Sequence, residues 1–207
     1  MTATGPTVFV VDDNPAVRKS LQVLVRSAGL DVETFGSSDD FLAAYDPRRA
    51  GCLVLDLRLR GEDGLDLLDK LGGRTASLPV IVLTAHGNVP TSVRALKAGA
   101  VDFLEKPAPP ATLLARIRDA LELCERRRDA ESERASIEQH AARLTPRERQ
   151  VVRLLLAGKR SKEIATALGM GVRTVEGYRG RILEKMQASS TAALVAMLVR
   201  SSVVPRT

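Results

Sequence analysis

Five short apolar runs, Val8 to Val11, Val32 to Phe35, Leu53 to Asp56, Val80 to Leu83 and Val101 to Leu104, punctuate the first half of the chain. Runs of branched residues bounded by turn signals suit strands covered on both faces. The segments between them carry apolar residues every three or four positions, the spacing of one helix face. This βα alternation predicts a parallel sheet wrapped by helices. The first helix is well marked: Asn14 suits the cap, Pro15 the first turn, and Val17, Leu21, Leu24, Val25 and Ala28 form one stripe before Gly29. Ser38 suits the cap of a short second helix through Phe41 and Leu42, and Gly64 to Leu71 and about Asn88 to Ala98 read as the third and fourth. From Pro110, a stripe of Leu113, Leu114, Ile117, Leu121 and Cys124 gives a fifth helix one buried side. Beyond Cys124 the stripe stops while helix formers continue through ERRRDAESERASIEQH, so the helix is expected to run into solvent as a connector. A flexible tether is the competing view, against which stands the lack of Gly and Pro.

The second half follows the helical period alone. LTPRE opens a helix with a capping box, Thr145 as cap, Pro146 first and Glu148 third, and the helix stops at Gly158. Ser161 suits the cap of KEIATALG, which ends at Gly169, and VRTVEGYRGRILEKM follows after a tight turn. A short helix, a tight turn and a second helix bearing Arg173, Arg179, Arg181 and Lys185 form the pattern of a helix-turn-helix whose basic helix enters the major groove. The last helix, TAALVAMLV, is apolar on more than one face and is expected to serve partly as core and partly as a dimer contact.

Charge sharpens the division. Residues 141 to 207 carry 13 Lys+Arg against 4 Asp+Glu, whereas residues 1 to 124 carry 14 against 16. A basic tail behind a mildly acidic front points to a partner rich in phosphate. The expected organisation is a first domain over 1–124, a helical linker over 125–141 and a second domain over 142–207. MTATGPT lacks a basic region followed by an apolar stretch, and no apolar run approaches the roughly 20 residues of a membrane span, so a cytoplasmic protein without membrane association is expected. Cys52 and Cys124 are too few and too separate for a disulfide framework or a zinc site and read as small core residues.

The chemistry gathers at the strand ends. The first strand ends in VFVVDD and the third in CLVLD, so Asp12, Asp13 and Asp56 emerge at one carboxyl edge if both strands are central and parallel. Three carboxylates there repel one another unless a cation joins them, and oxygen-only ligands suit Mg²⁺. Thr84 ends the fourth strand and Lys106 follows the fifth. Together these groups make a phosphoryl-transfer site: a carboxylate nucleophile, a metal and fixed donors. Each alone has a plainer reading, as a loop acid, a strand-end hydroxyl or a surface charge. Their joint placement favours the site.

These residues resemble the receiver domains of two-component response regulators over about residues 6 to 124: the acid pair in VVDDN, the acceptor in LVLDLRL, the Thr in VLTAHG and the Lys-Pro in DFLEKP. TAHGNVPTSVRALKAGAVDFLEKP is most similar to the FixJ subgroup. The resemblance implies a flavodoxin-like α/β fold with a five-stranded parallel sheet of order 2-1-3-4-5. It implies that Asp56 receives a phosphoryl group from a sensor histidine kinase, and that Asp13, Asp56 and the backbone carbonyl of Arg58 hold Mg²⁺ with Asp12 acting through water. Thr84 and Lys106 would bind the phosphoryl oxygens, and the Lys106-Pro107 bond would be cis. Phe103 matches the switch aromatic, with plain core the alternative. His86 reads as a loop residue near the switch rather than a metal ligand, since its fellow histidine, His140, lies far off in the connector.

Residues 140 to 204 resemble the LuxR-type DNA-binding domain, an all-α helix-turn-helix fold, through LTPRERQVVRLLLAGKRSKEIATALGMGVRTVEGYRGRILEKM. The resemblance implies that Lys162, Thr174, Arg179 and Lys185 touch phosphates and that Arg173, Val175, Tyr178 and Arg179 face bases. Three departures stand out. Gly171 replaces a Ser or Thr cap, at a cost of about a few tenths of a kcal/mol. Tyr178 occupies a common His position, and Gly180 costs roughly 0.5–1 kcal/mol against Ala in mid-helix. The plainer reading of the basic residues is a solvated helix face.

Joined, the two resemblances describe a transcription regulator that binds promoter DNA, dimerises when phosphorylated through the face around the fourth helix and fifth strand, and engages RNA polymerase. Before phosphorylation the receiver would cover either the recognition helix or the final helix. The chain is not expected to be a dedicated enzyme beyond accepting and shedding its own phosphoryl group. An aspartyl-phosphate phosphatase of the haloacid dehalogenase type needs a second Asp two residues after the nucleophile, where Arg58 stands, and no GxxxxGK phosphate loop is present. A DNA-binding protein with a phosphorylation-independent receiver is the other alternative.

Overall fold

The computed structural model describes residues 5–59, 61–72, 77–85 and 87–203, the side chain of Glu62 apart. His86 lies outside the described residues. The chain forms two compact units, residues 1–128 and 129–207.

The first unit is built on five parallel strands, β1 (Thr7–Val11), β2 (Asp31–Phe35), β3 (Gly51–Leu55), β6 (Val80–Thr84) and β7 (Asp102–Glu105). They lie in the order β2-β1-β3-β6-β7, which is 2-1-3-4-5 when only these five are counted. The extra numbers belong to a two-residue hairpin, β4 (Arg58–Leu59) and β5 (Glu62–Asp63), in the loop after β3. A strand pair this short leaves no periodic signal, so the sequence pattern does not reveal it.

The three central strands bury both faces, and alternate residues feed two cores. Phe9, Leu53, Leu55, Val80 and Val82 point to one, while Val8, Val10, Cys52, Val54 and Ile81 point to the other. That is the period of two expected of a pleated strand, expressed in residues that are all apolar because both faces are covered. Helices α1 (Pro15–Ser27), α2 (Ser38–Ala44), α3 (Gly64–Leu71) and α4 (Val89–Lys97) connect the strands. Asn14 caps α1 and Asn88 caps α4. The cap of α2 is Ser37, whose hydroxyl accepts from Asp40 N, rather than Ser38. Ser38 is turned into the protein, fully buried, and its hydroxyl finds no partner among the described residues.

Both cysteines are core residues. Burial and the neighbouring Cys124 push the Cys52 thiol up to about 12, and the Cys124 sulfur accepts from Gly51 N at 3.4 Å and donates to Ser77 O at 3.3 Å. Cys52 is therefore held as an unreactive thiol.

Helix α5 (Pro110–Ala142) is 33 residues long and unbroken through the division between the units. Leu113, Ile117 and Leu121 pack in the first unit. Its far end differs from a purely solvated connector: Ile137 and Ala141 are buried in the core of the second unit. One turn apart, they share a helix face, and two apolar residues are too few to stand out against a charged background.

The second unit comprises α6 (Pro146–Leu156), α7 (Ser161–Leu168), α8 (Val172–Lys185) and α9 (Thr191–Arg200). Thr145 and Glu148 form the expected capping box on α6. On α7 the cap position is Arg160, whose N–H donates to the Glu163 carboxylate at 2.9 Å. Ser161 is the first residue inside the helix, so its hydroxyl is free for other work. Gly169, with φ +63°, ends α7 in the left-handed region that favours glycine.

Candidate functional site

β1 and β3 run side by side with Val11 opposite Leu55, so the residues after them leave the sheet at the same edge. Backbone bonds pin the two acids there: Asp12 N donates to Phe35 O at 3.2 Å and Asp56 N to Val11 O at 2.9 Å. Asp12 is 2% and Asp56 8% exposed. The Lys106 ammonium donates to Oδ2 of both, each at 2.6 Å. The other oxygens accept from backbone: Asp12 Oδ1 from Asn14 N at 2.9 Å, and Asp56 Oδ1 from Arg58 N at 3.1 Å. Asp13, next along the loop, is half-buried.

Lys106 arrives at the end of β7, its N–H bonded to Thr84 O at 2.8 Å and its peptide bond to Pro107 cis. Burial disfavours its charge, but the bonds it donates to Asp12 and Asp56 outweigh that and hold its pKa above the ordinary lysine value. Thr84, fully buried, ends β6 beside Glu105 of β7. The corner therefore gathers Asp12, Asp56, Thr84 and Lys106 from four strand ends.

Phe103 pairs with Val82 and packs, half-buried, against one of the two cores. Its ring lies over Gly87, where an added Cβ would stand 3.2 Å from a ring carbon. A cleft of about 800 Å³ opens beside the corner, lined by Arg58, Asp63, Asp66, Thr84, Asn88 and Arg94 among others.

The donor set fits a hard divalent cation. Two carboxylate oxygens already converge on one ammonium, which stands in for a cation between them. No cluster of three or more His, Cys, Asp or Glu is preformed for a metal among the described residues. Water and phosphoryl oxygens would have to complete the shell, as Mg²⁺ sites commonly require.

Pattern reading missed three residues here. Arg18 of α1 donates to Asp12 O at 2.6 Å and so braces the acid loop from the helix side. Gly64 starts α3 so close to the loop after β3 that a Cβ would lie 2.5 Å from Asp56 O and 2.8 Å from Leu57 Cα. Gly87 seats Phe103. The two glycines were visible in the sequence, but only their neighbours across the fold say why they are there.

In the second unit, Lys162, Arg173 and Thr174 are exposed, and the described residues make no ion pair with the Lys162 or Arg173 side chain. Arg179 is 29% exposed and occupied, donating to Ser161 Oγ at 2.7 Å, Glu176 Oε1 at 3.1 Å and Thr191 Oγ1 at 2.8 Å. Lys185, 32% exposed, donates to the buried Glu148 carboxylate at 2.7 Å. Tyr178 is half-buried with the Arg181 guanidinium 4.7 Å above its ring.

Val175 corrects the sequence reading. It is fully buried in the second core with Ile164 and Ile182, so it faces the protein and not a groove. One apolar position near a helix start fits core or surface equally well until the packing partners fix the phase of the helix. The exposed face of α8 instead carries Arg173, Glu176, Gly177 and Gly180, and the last three were not among the expected contacts.

The chain matches two family models, "Response regulator receiver domain" over residues 8–118 and "Bacterial regulatory proteins, luxR family" over residues 142–198. It is 43% identical to the transcriptional regulatory protein FixJ of Azorhizobium caulinodans, over 96% of this chain and 94% of that protein. It is 42% identical to nodulation protein W of Bradyrhizobium diazoefficiens, over 94% and 86%. Among solved structures it resembles the response regulator StyR, with a TM-score of 0.83, 42% identity and coverage of 95% of this chain and 100% of that one. Full-length FixJ from B. japonicum gives a TM-score of 0.59 at 40% identity, covering 97% and 98%.

Proposed function

The chain belongs to the two-component response regulators that join a receiver domain to a LuxR-type helix-turn-helix domain and regulate transcription, and from that premise we propose that Asp56 is its phosphoryl acceptor. The family consists of transcription factors rather than typical enzymes; a receiver implies a sensor histidine kinase, and a LuxR-type domain implies DNA. The observation that carries the assignment is the single ammonium of Lys106 shared by Asp12 and Asp56 at one sheet edge.

An Asp56 carboxylate oxygen attacks the phosphorus of a phosphohistidine; the new P–O bond forms as the P–N bond breaks, and the departing imidazole takes up a proton. Receivers of this family generally bind Mg²⁺ at the phosphorylation site. Here Asp13, Asp56 and the Arg58 carbonyl would hold it, with Asp12 acting through water. When bound, the ion neutralises charge on the transferring group. Lys106 then gives up its bond to the Asp56 carboxylate and takes phosphoryl oxygens instead, and the Thr84 hydroxyl accompanies it. Water attack on the acyl phosphate returns Asp56 to its resting state.

Movement at Thr84 reaches Phe103 through the loop that carries Gly87. The surface that reads this out is α4 with β7, because Val89, Val93 and Leu96 lie on one face of α4 and are 77%, 43% and 49% exposed. Three apolar residues in such a row suit a homodimer contact. Two DNA-binding units then share one palindromic promoter site, with Lys162, Thr174, Arg179 and Lys185 at phosphates and Arg173, Tyr178 and Arg179 toward bases. Contact with RNA polymerase and residence in the cytoplasm follow from that role. No helix among the described residues is long and apolar enough to cross a membrane.

Beryllofluoride with Mg²⁺ imitates the aspartyl phosphate. It should convert the full-length protein to dimers and tighten operator binding by at least about tenfold, the range of ordinary allosteric coupling. Asp56→Asn should lose that response and all labelling by the donor kinase. Labelling of Asp56→Asn at the native rate would overturn the assignment.

A further inference from the structure

We propose that Glu176 is a specificity-determining residue of the DNA interface: its carboxylate accepts a hydrogen bond from the N4 amino group of a cytosine in the major groove, and Ser161 and Arg179 position it to do so. The proposal rests on the reading above that α8 enters the groove.

Val175 and Ile182 turn inward, which fixes the outward strip of α8 as Arg173, Glu176, Gly177 and Gly180, spaced three, four and seven residues along the helix. A carboxylate on that strip meets the negative field of the phosphates and weakens binding unless it accepts from a donor there.

Glu176 is also held in place. Ser161 and Arg179 both donate to its Oε1, Arg179 at 3.1 Å, and Arg179 is itself anchored on Ser161 Oγ at 2.7 Å and Thr191 Oγ1 at 2.8 Å. The bonds made by the described residues do not use Oε2, and the side chain is 53% exposed. The Ser161 hydroxyl lowers the pKa of the carboxyl, so it stays an acceptor at neutral pH.

An acceptor finds two donors on base edges in the major groove, cytosine N4 and adenine N6. Adenine N6 is flanked by acceptors on both sides, its own N7 and thymine O4, which repel a carboxylate; cytosine N4 has an acceptor, guanine O6, on one side and C5–H on the other. Cytosine is therefore the better match. The reach of Glu is short, and the neighbouring glycines suit it. An added Cβ at Gly177 would meet nothing nearer than an Arg181 guanidinium nitrogen at 3.9 Å, and at Gly180 nothing within 4 Å. Neither glycine is held there by packing or by a positive φ, and a bare helix surface lets the backbone approach the base edge.

The test is selection of binding sites from a randomised half-site library by the full-length protein activated with beryllofluoride, run alongside thermal unfolding. Glu176→Gln keeps an acceptor for Ser161 and gains a donor, a combination that pairs with adenine N6 and N7. It should move the preferred base at one position from cytosine to adenine, with roughly tenfold discrimination, tighten non-specific binding and leave Tm unchanged. Ser161→Ala should keep the cytosine but blunt its selection. Arg173→Ala separates the two premises. If it destroys specific binding while Glu176→Gln selects the wild-type motif, the role of Glu176 is wrong and the docking of α8 stands. If neither variant alters the motif, the docking itself is wrong. A lower Tm with an equal loss of binding to every sequence would make Glu176 a structural clamp and also overturn the proposal.

Discussion

Each unit keeps a buried acid beside a lysine, and the two clusters differ in their balance. In the first unit, Asp12 and Asp56 share the one ammonium of Lys106, with Asp13 next in the chain. Acids outnumber cations, at the open edge of a sheet. In the second, the Glu148 carboxylate accepts from Lys185 at 2.7 Å and from Thr145 N at 2.8 Å, with Arg181 a further 3.9 Å contact, while Glu148 N completes the capping box by donating to Thr145 Oγ1. That carboxylate is 2% exposed and fully satisfied, and it ties the start of α6 to the end of α8. A carboxylate so balanced and capped deep in a helical core has nothing left to offer a ligand, so its effect is structural. An unbalanced one costs stability and keeps capacity for another cation.

The comparison breaks most visibly at Glu148. Glu148→Gln should destabilise the second unit by about 2 kcal/mol, less than a fully buried pair because Lys185 keeps some water. For a unit of this size that is roughly 8–16 °C in its Tm, measurable as the shift of its own unfolding transition. Burial alone would raise the Glu148 pKa, but the bonds from Lys185 and Thr145 prevail and hold it below its ordinary 4.5. A lowered folded-state value means that the stabilisation is complete above pH 4.5 and fades as pH falls from there through the lowered pKa. The glutamine variant should lack that part of the acid sensitivity; identical acid profiles would show that the pair is not the clamp.

Lys106→Met sharpens the other side. Removing the only cation that bridges Asp12 and Asp56 among the described residues leaves two acids facing each other, at a cost of about 1–2 kcal/mol without metal. Mg²⁺ should restore more stability to this variant than to the wild type and none to the Glu148→Gln unit. Equal Mg²⁺ shifts in wild type and Lys106→Met would show that the ammonium and the metal do not use the same acids. The smallest effect is expected away from both clusters. Ser38→Ala removes a buried hydroxyl that lacks a partner among the described residues and should change stability by less than about 1 kcal/mol, in the stabilising direction.

Much of this was readable from the chain. The strands and helices follow from period two and period three-to-four patterns, which are local, and the corner of Asp12, Asp56, Thr84 and Lys106 follows from them because parallel strands share one carboxyl edge. Caps were readable to within one residue. Ser37 and Ser38 carry the same hydroxyl, and at the start of α7 the cap position falls on Arg160 rather than on Ser161; the backbone angle at each boundary decides which residue caps.

Helix phase and distant partners were not readable. Val175 and Glu176 are neighbours in the chain, yet one is core and the other faces outward, because α8 packs against α6 and α7 with one particular rotation. Glu148 and Lys185 are 37 residues apart, and Arg179 and Thr191 belong to different helices. The sequence by itself determined which elements form and which acids share an edge, since both depend on spacing along the chain. Tertiary structure alone decided the rotation of α8 and which charge answers which, since those depend on contacts the chain makes only after it has folded.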